Sequence, residues 1–250
     1  MSTEEQAANV AAAKTDTWQA PDAATPSLLQ RGVNMLRNTW LTLRLNAAER
    51  RYQQRVLNRL ARGERLGTLG NQIQDEARTV ERAEQWLANL VQLGLRPEHL
   101  CVEYGCGSLW CAEPVIRHQQ PGRFIGLDLT DRFYELGRQR LHDLVTEKQT
   151  RTAVISGRTL REVAALKPDF VYSHRVLHHV QRRGLGRYVQ NLISLLHDRS
   201  VLVIENIRPT LPDGSVKGRD YSAADIQRHL PRDWQCRQEP FGLVITRRGA

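Results

Sequence analysis

The stretch Leu100-Cys-Val-Glu-Tyr-Gly-Cys-Gly-Ser-Leu-Trp110 decides how the rest of the chain is interpreted. It begins as an apolar run, becomes acidic at Glu103 and is broken by Gly105 and Gly107. This order is typical of a short buried strand, a tight glycine turn and a following helix. Glycine at such a turn lets the backbone approach a ligand closely, because no Cβ stands in the way. The stretch therefore predicts a ligand site directly after a strand.

The spacing of the glycines distinguishes between two classes of ligand. A dinucleotide site has the pattern G-x-G-x-x-G, whose third glycine allows a helix to pack closely on a strand. Trp110 stands at that third position, which a nicotinamide or flavin site of this type should not tolerate. An acid followed by G-x-G, here Glu103-Tyr-Gly-Cys-Gly107, instead resembles motif I of the class I S-adenosylmethionine-dependent methyltransferases. Leu109 departs from the commonest form of the motif, since many members have a glycine there.

Three later stretches resemble the same family in their order and spacing. In Arg123–Leu129 a strand-like run reaches Asp128, about twenty residues beyond the glycines, where a carboxylate would accept hydrogen bonds from ribose hydroxyls. Asp169–Val180 resembles the fourth strand of the family, which leads into a cleft carrying Ser and His side chains. Ser200–Ile207 is typical of a fifth strand with a polar end. The resemblance covers residues 98–248 and implies S-adenosyl-L-methionine as the cofactor.

Length and composition fit one α/β domain with a helical appendage. The 250 residues are enough to bury a core unaided. No window approaches the roughly eighteen apolar residues of a spanning helix, and the N-terminus lacks the pattern of a secretory signal. The four cysteines do not have the paired C-x-x-C spacing of a zinc site. Reduced thiols and a cytoplasmic location are therefore expected.

The positive charge of the chain is local rather than general. Net charge is +9, which by itself would suggest a nucleic-acid partner. Residues 28–66 hold nine arginines and two glutamates, a net +7, and only four of the basic residues of the chain are lysines. Ser173-His-Arg-Val176 stands where an N-P-P-Tyr-type tetrad would mark methylation of a base amino group. A nucleic-acid partner is therefore not expected, although the charge keeps an RNA role as an alternative.

The chain divides into three segments. Residues 1–27 lack periodicity and are predicted to be disordered, residues 28–97 form a basic helical extension, and residues 98–250 form the methyltransferase-like domain. Within 28–66 an apolar stripe at helical spacing allows two interpretations. The helix could lie on an anionic membrane at its inner face, where a lipid-linked acceptor would be methylated and liposome binding would fall with salt. Alternatively it packs on its own domain or across a homodimer.

A second helix is predicted from about Asn71 to Leu93, before the first strand. Gly94 is a C-cap candidate, and Trp86 is expected to serve packing rather than to contact a ligand. The predicted buried face consists of Ile73, Ala77, Val80, Leu87, Leu90 and Val91.

Strands and helices then alternate, which predicts a parallel sheet covered on both faces. Predicted strands at 100–104, 123–128, 153–155, 169–173 and 200–205 alternate with helices near 112–119, 131–146, 159–166 and 184–197. Ser222 is predicted to cap a helix near 223–230, and strands 234–239 and 243–247 form a closing hairpin. The fold class is therefore α/β, a doubly wound and mostly parallel seven-stranded sheet with a C-terminal antiparallel hairpin.

The resemblance implies a set of cofactor-binding residues at the carboxyl ends of the strands. The backbone of the glycine turn would run alongside the methionine part of S-adenosylmethionine, and Glu103 would lie near the amino group of that part. Asp128 would hold the ribose, and Leu129 would lie against the adenine. Asp128 could instead cap the next helix, and Glu103 could be structural. Ser156 replaces the acid that the family usually has after strand three. The predicted set is Glu103, Gly105, Cys106, Gly107, Asp128, Leu129, Ser156, Gly157, Arg158, Ser173 and His174.

Methyl transfer from a sulfonium is an in-line displacement, in which positioning contributes ~7–11 kcal/mol. A hydroxyl acceptor would add general-base catalysis of about 10²–10⁴-fold. Adjacent His178 and His179 are not expected to face the cleft together, and Glu205-Asn206 resembles the acidic pair of metal-dependent O-methyltransferases. Because Ser173-His174 replaces the partner aspartate of that pair, no catalytic metal is expected. The candidate catalytic residues are His174, His178, His179 and Glu205.

These features predict an S-adenosylmethionine-dependent methyltransferase. Its turn resembles that of bacterial enzymes that modify sugars, polysaccharides or secondary metabolites, which favours O-methylation of a small-molecule or saccharide-like acceptor. The polar loop 208–221 is the expected place for acceptor specificity. A non-catalytic binding module on the same fold is the alternative.

Overall fold

The computed structural model describes residues 76–205 and 221–249, together with Gln54, Asn58, Arg59 and Arg62. Three predictions therefore lie wholly or almost wholly outside the described residues. They are the disordered segment 1–27, the amphipathic helix in 28–66 and the specificity loop at 208–221, of which only Tyr221 is described.

The described residues form one seven-stranded sheet. Its strands are β1 Cys101–Tyr104, β2 Phe124–Asp128, β3 Arg151–Val154, β4 Phe170–Ser173, β5 Val201–Glu205, β6 Trp234–Glu239 and β7 Gly242–Arg247. Their order across the sheet is β3-β2-β1-β4-β5-β7-β6. The first five pair in parallel, whereas β7 is antiparallel to both β5 and β6. The predicted mostly parallel sheet with a closing hairpin is confirmed.

Helices cover both faces of the sheet, as a parallel sheet requires. They are α1 Glu76–Gln92, α2 Glu113–His118, α3 Asp131–Arg140, α4 His142–Glu147, α5 Gly157–Ala165, α6 Leu185–Ile193 and α7 Ala223–Gln227. Helices α1 to α4 pack on one face and α5 to α7 on the other. Every residue of β1, β2 and β4 is buried as a result. Only the strand ends can present polar groups to a ligand.

Several helix boundaries follow the predicted signals. Pro114 lies in the first turn of α2, where its missing amide has no intrahelical partner. Ser222 and Asp225 form a reciprocal capping box at the start of α7. Gly94 follows α1 with φ of 96°, as expected for a C-cap.

The predicted helix at 131–146 is two helices, which is a correction. Leu141, with φ of −108° and ψ of 27°, lies between α3 and α4 outside the helical range. Buried residues on both sides of the break, such as Tyr134 and Val145, keep helical spacing. The hydrophobic pattern therefore contained no sign of the interruption.

The predicted buried face of α1 is wrong in part. Val80 and Val91 are 45% and 43% exposed, and Ala77 is also exposed. The buried residues are Ala83, Trp86 and Leu90. The amphipathic pattern of α1 contains two adjacent apolar edges, and packing on α2 and the sheet selects one of them.

The turn after β1 has no room for a side chain at its first glycine. Gly105 has φ of 88°, and a Cβ built there would collide with Cγ2 of Val176, just beyond β4. Gly94 has a similar φ, but a Cβ there would meet nothing within 4 Å. Comparing substitutions at the two glycines therefore distinguishes the cost of a side chain at positive φ from the cost of a steric collision.

We expect Gly105→Ala to destabilise the protein more than Gly94→Ala. Both place alanine at positive φ, which costs about 1–2 kcal/mol, but only the first adds the collision with Val176. In urea unfolding, Gly105→Ala should cost at least about twice as much as Gly94→Ala, and its cost should shrink in a Val176→Ala background. Equal costs for the two alanine variants would contradict the collision.

Candidate active site

Ionisable side chains lie at the carboxyl ends of four neighbouring strands. Asp128 ends β2, Glu103 lies one residue before the end of β1, His174 follows β4 and Glu205 ends β5. The first three are buried, and the side chain of Glu205 is 12% exposed. This is the edge at which open parallel sheets bind ligands. The structure thus gathers these four predicted residues at one edge.

The glycine turn is held against the end of β2. The amides of Gly105 and Cys106 both donate to the carbonyl oxygen of Leu127, at 2.7 and 3.0 Å. The amide of Gly107 donates to Oδ2 of Asp128 at 2.8 Å. Backbone groups of the turn and the carboxylate of Asp128 therefore form one unit.

Leu109 adopts the left-handed backbone that a glycine usually supplies at this place in the motif. Its φ is 59° and its side chain is fully buried. The Arg140 guanidinium lies over this loop, where it donates to the Leu109 carbonyl at 3.4 Å and pairs with Glu113 at 2.7 Å. It also stacks 3.7 Å from the centre of the Trp110 ring. The loop therefore holds a non-glycine residue at positive φ through contacts made by Arg140.

The Asp128 carboxylate accepts backbone amides, Oδ2 that of Gly107 and Oδ1 that of Leu129 at 2.7 Å, and the amide of Thr130 is hydrogen-bonded to it as well. Burial raises the pKa of Asp128 to about 6, although these amides favour the charged form. Thr130 caps α3 by accepting from the amide of Arg132, so the capping alternative for Asp128 is wrong. A carboxylate has about four acceptor positions, so this one can take a further donor.

The residues after β3 have local roles in the structure. Ser156 caps α5, accepting from the amide of Thr159 at 3.0 Å. Gly157 and Arg158 open that helix, and Arg158 pairs with Glu162 at 2.6 Å on the surface. Contact of Ser156, Gly157 and Arg158 with an adenine ring stays a prediction.

Glu103 is a buried acid without full hydrogen bonding. Burial raises its pKa to about 7, while the charge of His174 and the neighbouring Tyr172 hydroxyl act in the opposite direction. Its Oε2 has no hydrogen-bond partner within the described part of the chain. The group is therefore poised to change its charge near neutral pH.

His174 and Glu205 form a buried ion pair between the ends of β4 and β5. Nε2 of His174 lies 3.3 Å from Oε1 of Glu205. Burial alone would lower the pKa of His174, but the Glu205 carboxylate raises it to about 10. Burial opposes ionisation of Glu205 too, yet the His174 charge holds the pKa of this acid below its ordinary value. The pair is therefore ionised at neutral pH.

Trp86 of α1 covers this ion pair. Its indole stacks on the His174 imidazole with ring centroids 4.7 Å apart and an interplanar angle of 29°. The sequence pointed to Trp86 only as a packing residue of a helix. Its partner lies far along the chain, so no local pattern could have revealed the contact.

Ser173 and Arg175 flank His174 but act through different atoms. The Ser173 hydroxyl donates to the Tyr104 carbonyl at 2.9 Å and so joins β4 to β1 rather than lining the edge beside His174. Arg175 has φ of 57°, and its backbone amide helps to hold the pKa of Glu205 low. Left-handed backbone in a non-glycine residue is a strain that clusters at functional sites.

His178 and His179 lie together in a 3-10 turn, Leu177–His179. Their ring centroids are 4.0 Å apart and the rings are tilted by 47°, and whether only one of them faces the cleft stays a prediction. His178 is buried and His179 half-buried. The turn directly follows Val176, which packs against Gly105. Both imidazoles are therefore carried by the segment that borders the glycine turn.

Other features of the described residues bound the chemistry. No group of three or more His, Cys, Asp or Glu residues in this part of the chain is placed to hold a metal ion. None of its helices combines the length and apolar character needed to cross a membrane. Cys101, Cys106, Cys111 and Cys236 are free thiols.

The seven-stranded sheet has the fold of a solved SAM-dependent methyltransferase. A SAM-dependent methyltransferase from Anabaena variabilis is similar, with a TM-score of 0.60 and 16% identity over 94% of this chain and 100% of that one. A magnesium protoporphyrin IX methyltransferase from Synechocystis, solved with SAM, has a TM-score of 0.49 and 18% identity over 70% of this chain and 83% of that one. No protein-family model and no curated protein matches the chain. The first similarity shows the fold.

We expect Glu103→Gln to stabilise the protein at alkaline pH. In the folded chain Glu103 stays protonated up to about pH 7, but it ionises near 4.5 when unfolded. Stability from this group is therefore complete below the unfolded pKa and is lost as pH rises through the folded pKa. Glutamine resembles the neutral acid, so the variant should gain roughly 1–3 kcal/mol at about pH 8 relative to about pH 5.

Thermal unfolding of the full chain at both pH values measures this gain. Glu84→Gln, at an exposed position of α1, is the matched control and should shift the melting temperature equally little at both. If the stabilisation by Glu103→Gln does not grow with pH, Glu103 does not take up a proton when the chain folds.

Proposed function

We propose that this protein is an S-adenosylmethionine-dependent methyltransferase. The observation that carries the proposal is the buried Asp128 carboxylate, tied to the glycine turn and retaining capacity to accept a further hydrogen bond. A ribose hydroxyl would supply that donor. The Anabaena protein of the same fold is a SAM-dependent methyltransferase, which supports the assignment.

The residues at the strand ends fit this cofactor. Gly105 to Gly107 would pass the methionine part, with Glu103 near its amino group. Leu129, half-buried directly after Asp128, would lie against the adenine, which Ser156–Arg158 would border. S-adenosylmethionine supplies an electrophilic methyl group on a sulfonium centre. The chain has to bind it, orient the acceptor and exclude water.

We assign His174 to charge and orientation rather than to proton removal. Because Glu205 holds the imidazole protonated, the ring has no lone pair with which to accept a proton from a hydroxyl. Its Nδ1 is buried, and the neighbouring Cys111 thiol also raises the pKa of the ring. Glu205 in turn keeps His174 charged. Proton removal from a hydroxyl acceptor then falls to His178 or His179.

The acceptor is proposed to be a small molecule or a saccharide-like compound methylated on oxygen. Support comes from the paired imidazoles beside the glycine turn, since imidazole is suited to deprotonating a hydroxyl near neutral pH. Contact of residues 28–66 with a membrane surface or with a second copy of the chain stays a prediction. That segment lies almost entirely outside the described residues.

We expect the full chain to bind S-adenosylmethionine and S-adenosylhomocysteine with micromolar affinity in calorimetry. Asp128→Ala should weaken both by about tenfold or more, because a charged hydrogen-bond acceptor is removed. NADH should not bind. Asp131→Asn, at an exposed position three residues further on, is the control that should leave the affinity unchanged.

Two outcomes would count against the enzyme. A folded chain that binds neither sulfur nucleoside would leave a non-catalytic binding module on this fold. Binding that survives Asp128→Ala unchanged would keep a cofactor but remove the site proposed for its ribose. With binding established, methyl transfer to hydroxyl-bearing acceptors can be followed by label transfer.

A further inference from the structure

Several buried polar atoms at the strand ends beside α1 lack a well-formed hydrogen bond within the part of the chain that the structure describes. Pairing is nearly universal for buried polar groups, and here Tyr172 lies beside Glu103 and Cys111 beside His174. These buried polar atoms come from three strand ends and one helix, which indicates a site shaped for function rather than for stability. The atoms are Trp86 Nε1, Glu103 Oε2, Tyr172 OH, His174 Nδ1 and Glu205 Oε2.

Two contacts together fix the His174 ring within this cluster. Glu205 holds one edge of the imidazole through Nε2. Trp86 covers a face of the ring at 4.7 Å. An edge contact alone leaves the ring free to swivel about its Cβ–Cγ bond, whereas a stacked neighbour restricts its plane. The indole face also attracts a cationic ring.

Trp86 itself is held from three sides. Besides His174 it contacts Tyr172 of β4, with ring centroids 6.2 Å apart, and Phe241 of the β6–β7 turn, at 6.3 Å. Its side chain is 3% exposed. The indole therefore packs between helix α1, strand β4 and the C-terminal hairpin.

We propose that Trp86 is a positioning residue, which fixes the plane of the His174 imidazole so that the His174–Glu205 pair keeps its place at the ends of β4 and β5. The expected effect on cofactor binding rests on the proposed function, since it takes His174 to line the cofactor cleft. It makes α1, which precedes the sheet in sequence, a part of the site. A shift of α1 would change the orientation of His174 without any change in the residues at the strand ends.

The test compares three variants of the full chain. Trp86→Leu removes the stack, Trp86→Phe keeps an aromatic face, and Leu90→Ala removes buried packing one turn further along the same face of α1 while leaving every aromatic side chain in place. The first readout is the downfield imidazolium N–H resonance of His174, identified by its loss in His174→Gln. The second is the affinity for S-adenosylhomocysteine.

We expect the resonance to persist in wild type, Trp86→Phe and Leu90→Ala and to be lost or broadened in Trp86→Leu. Affinity should fall about fivefold or more in Trp86→Leu, and much less when His174→Gln is already present, because the two residues act through one contact. Trp86→Phe should restore most of the affinity. Leu90→Ala should lower the melting temperature without these effects.

The outcomes separate this inference from the proposed function. A wild-type chain that shows the resonance but binds no S-adenosylhomocysteine defeats the cofactor assignment but leaves the positioning of His174 by Trp86 intact. Binding that Trp86→Leu and Leu90→Ala weaken equally, with the His174 resonance intact in both, reduces Trp86 to packing. If Trp86→Leu does not fold, indole emission decides, since a contacting imidazolium quenches tryptophan. His174→Gln should then raise the tryptophan fluorescence of the wild-type protein but not that of the Trp86→Phe variant. Equal changes in fluorescence in the two backgrounds would overturn the proposal.

Discussion

Three backbone amides hold the turn after β1 against the end of β2. Two of them share the Leu127 carbonyl and the third uses the Asp128 carboxylate. Parallel pairing of β1 with β2 sets the register that brings these groups together. The turn therefore cannot be formed by its own sequence alone. This attachment fixes the path of the chain after the strand. It thereby places Glu103 and Asp128 next to the turn and Val176 against Gly105.

The same edge of the sheet buries more ionisable groups than folding alone would favour. Burial raises the pKa values of Glu103 and Asp128 to about 7 and about 6, so each charge is disfavoured relative to water. His174 and Glu205 offset part of this cost by pairing with each other. Perturbed acids and bases gathered in one place are characteristic of functional sites. The buried ionisable groups at this edge lower the stability of the fold, and the apolar cores on both faces of the sheet offset that loss.

Features encoded by neighbours in sequence were predictable, and those that depend on distant contacts were not. The glycine turn, Asp128, the capping by Ser222 and the closing hairpin all follow from local patterns of residue type and spacing. The exposed Val80 and Val91 of α1 and the break at Leu141 do not, because tertiary packing selects among local patterns that look equivalent.

The site shows the same division. Its four ionisable residues stand where strand ends predict them, but the pairing of His174 with Glu205 and its cover by Trp86 join three separate segments. The competing role for Asp128 as a helix cap was settled only by seeing Thr130 in that position. Sequence alone thus located the groups but could not assign their charge states.

Leu109 shows how a strained backbone can be held by a distant residue. A left-handed backbone at a non-glycine residue costs about 1–2 kcal/mol, and here the surrounding contacts hold it in place. Arg140 fastens the loop through the Leu109 carbonyl, Glu113 and the Trp110 ring. The backbone at Leu109 is thus fastened by a guanidinium 31 residues further along the chain. A substitution at position 140 would therefore loosen a strained segment that it does not adjoin in sequence.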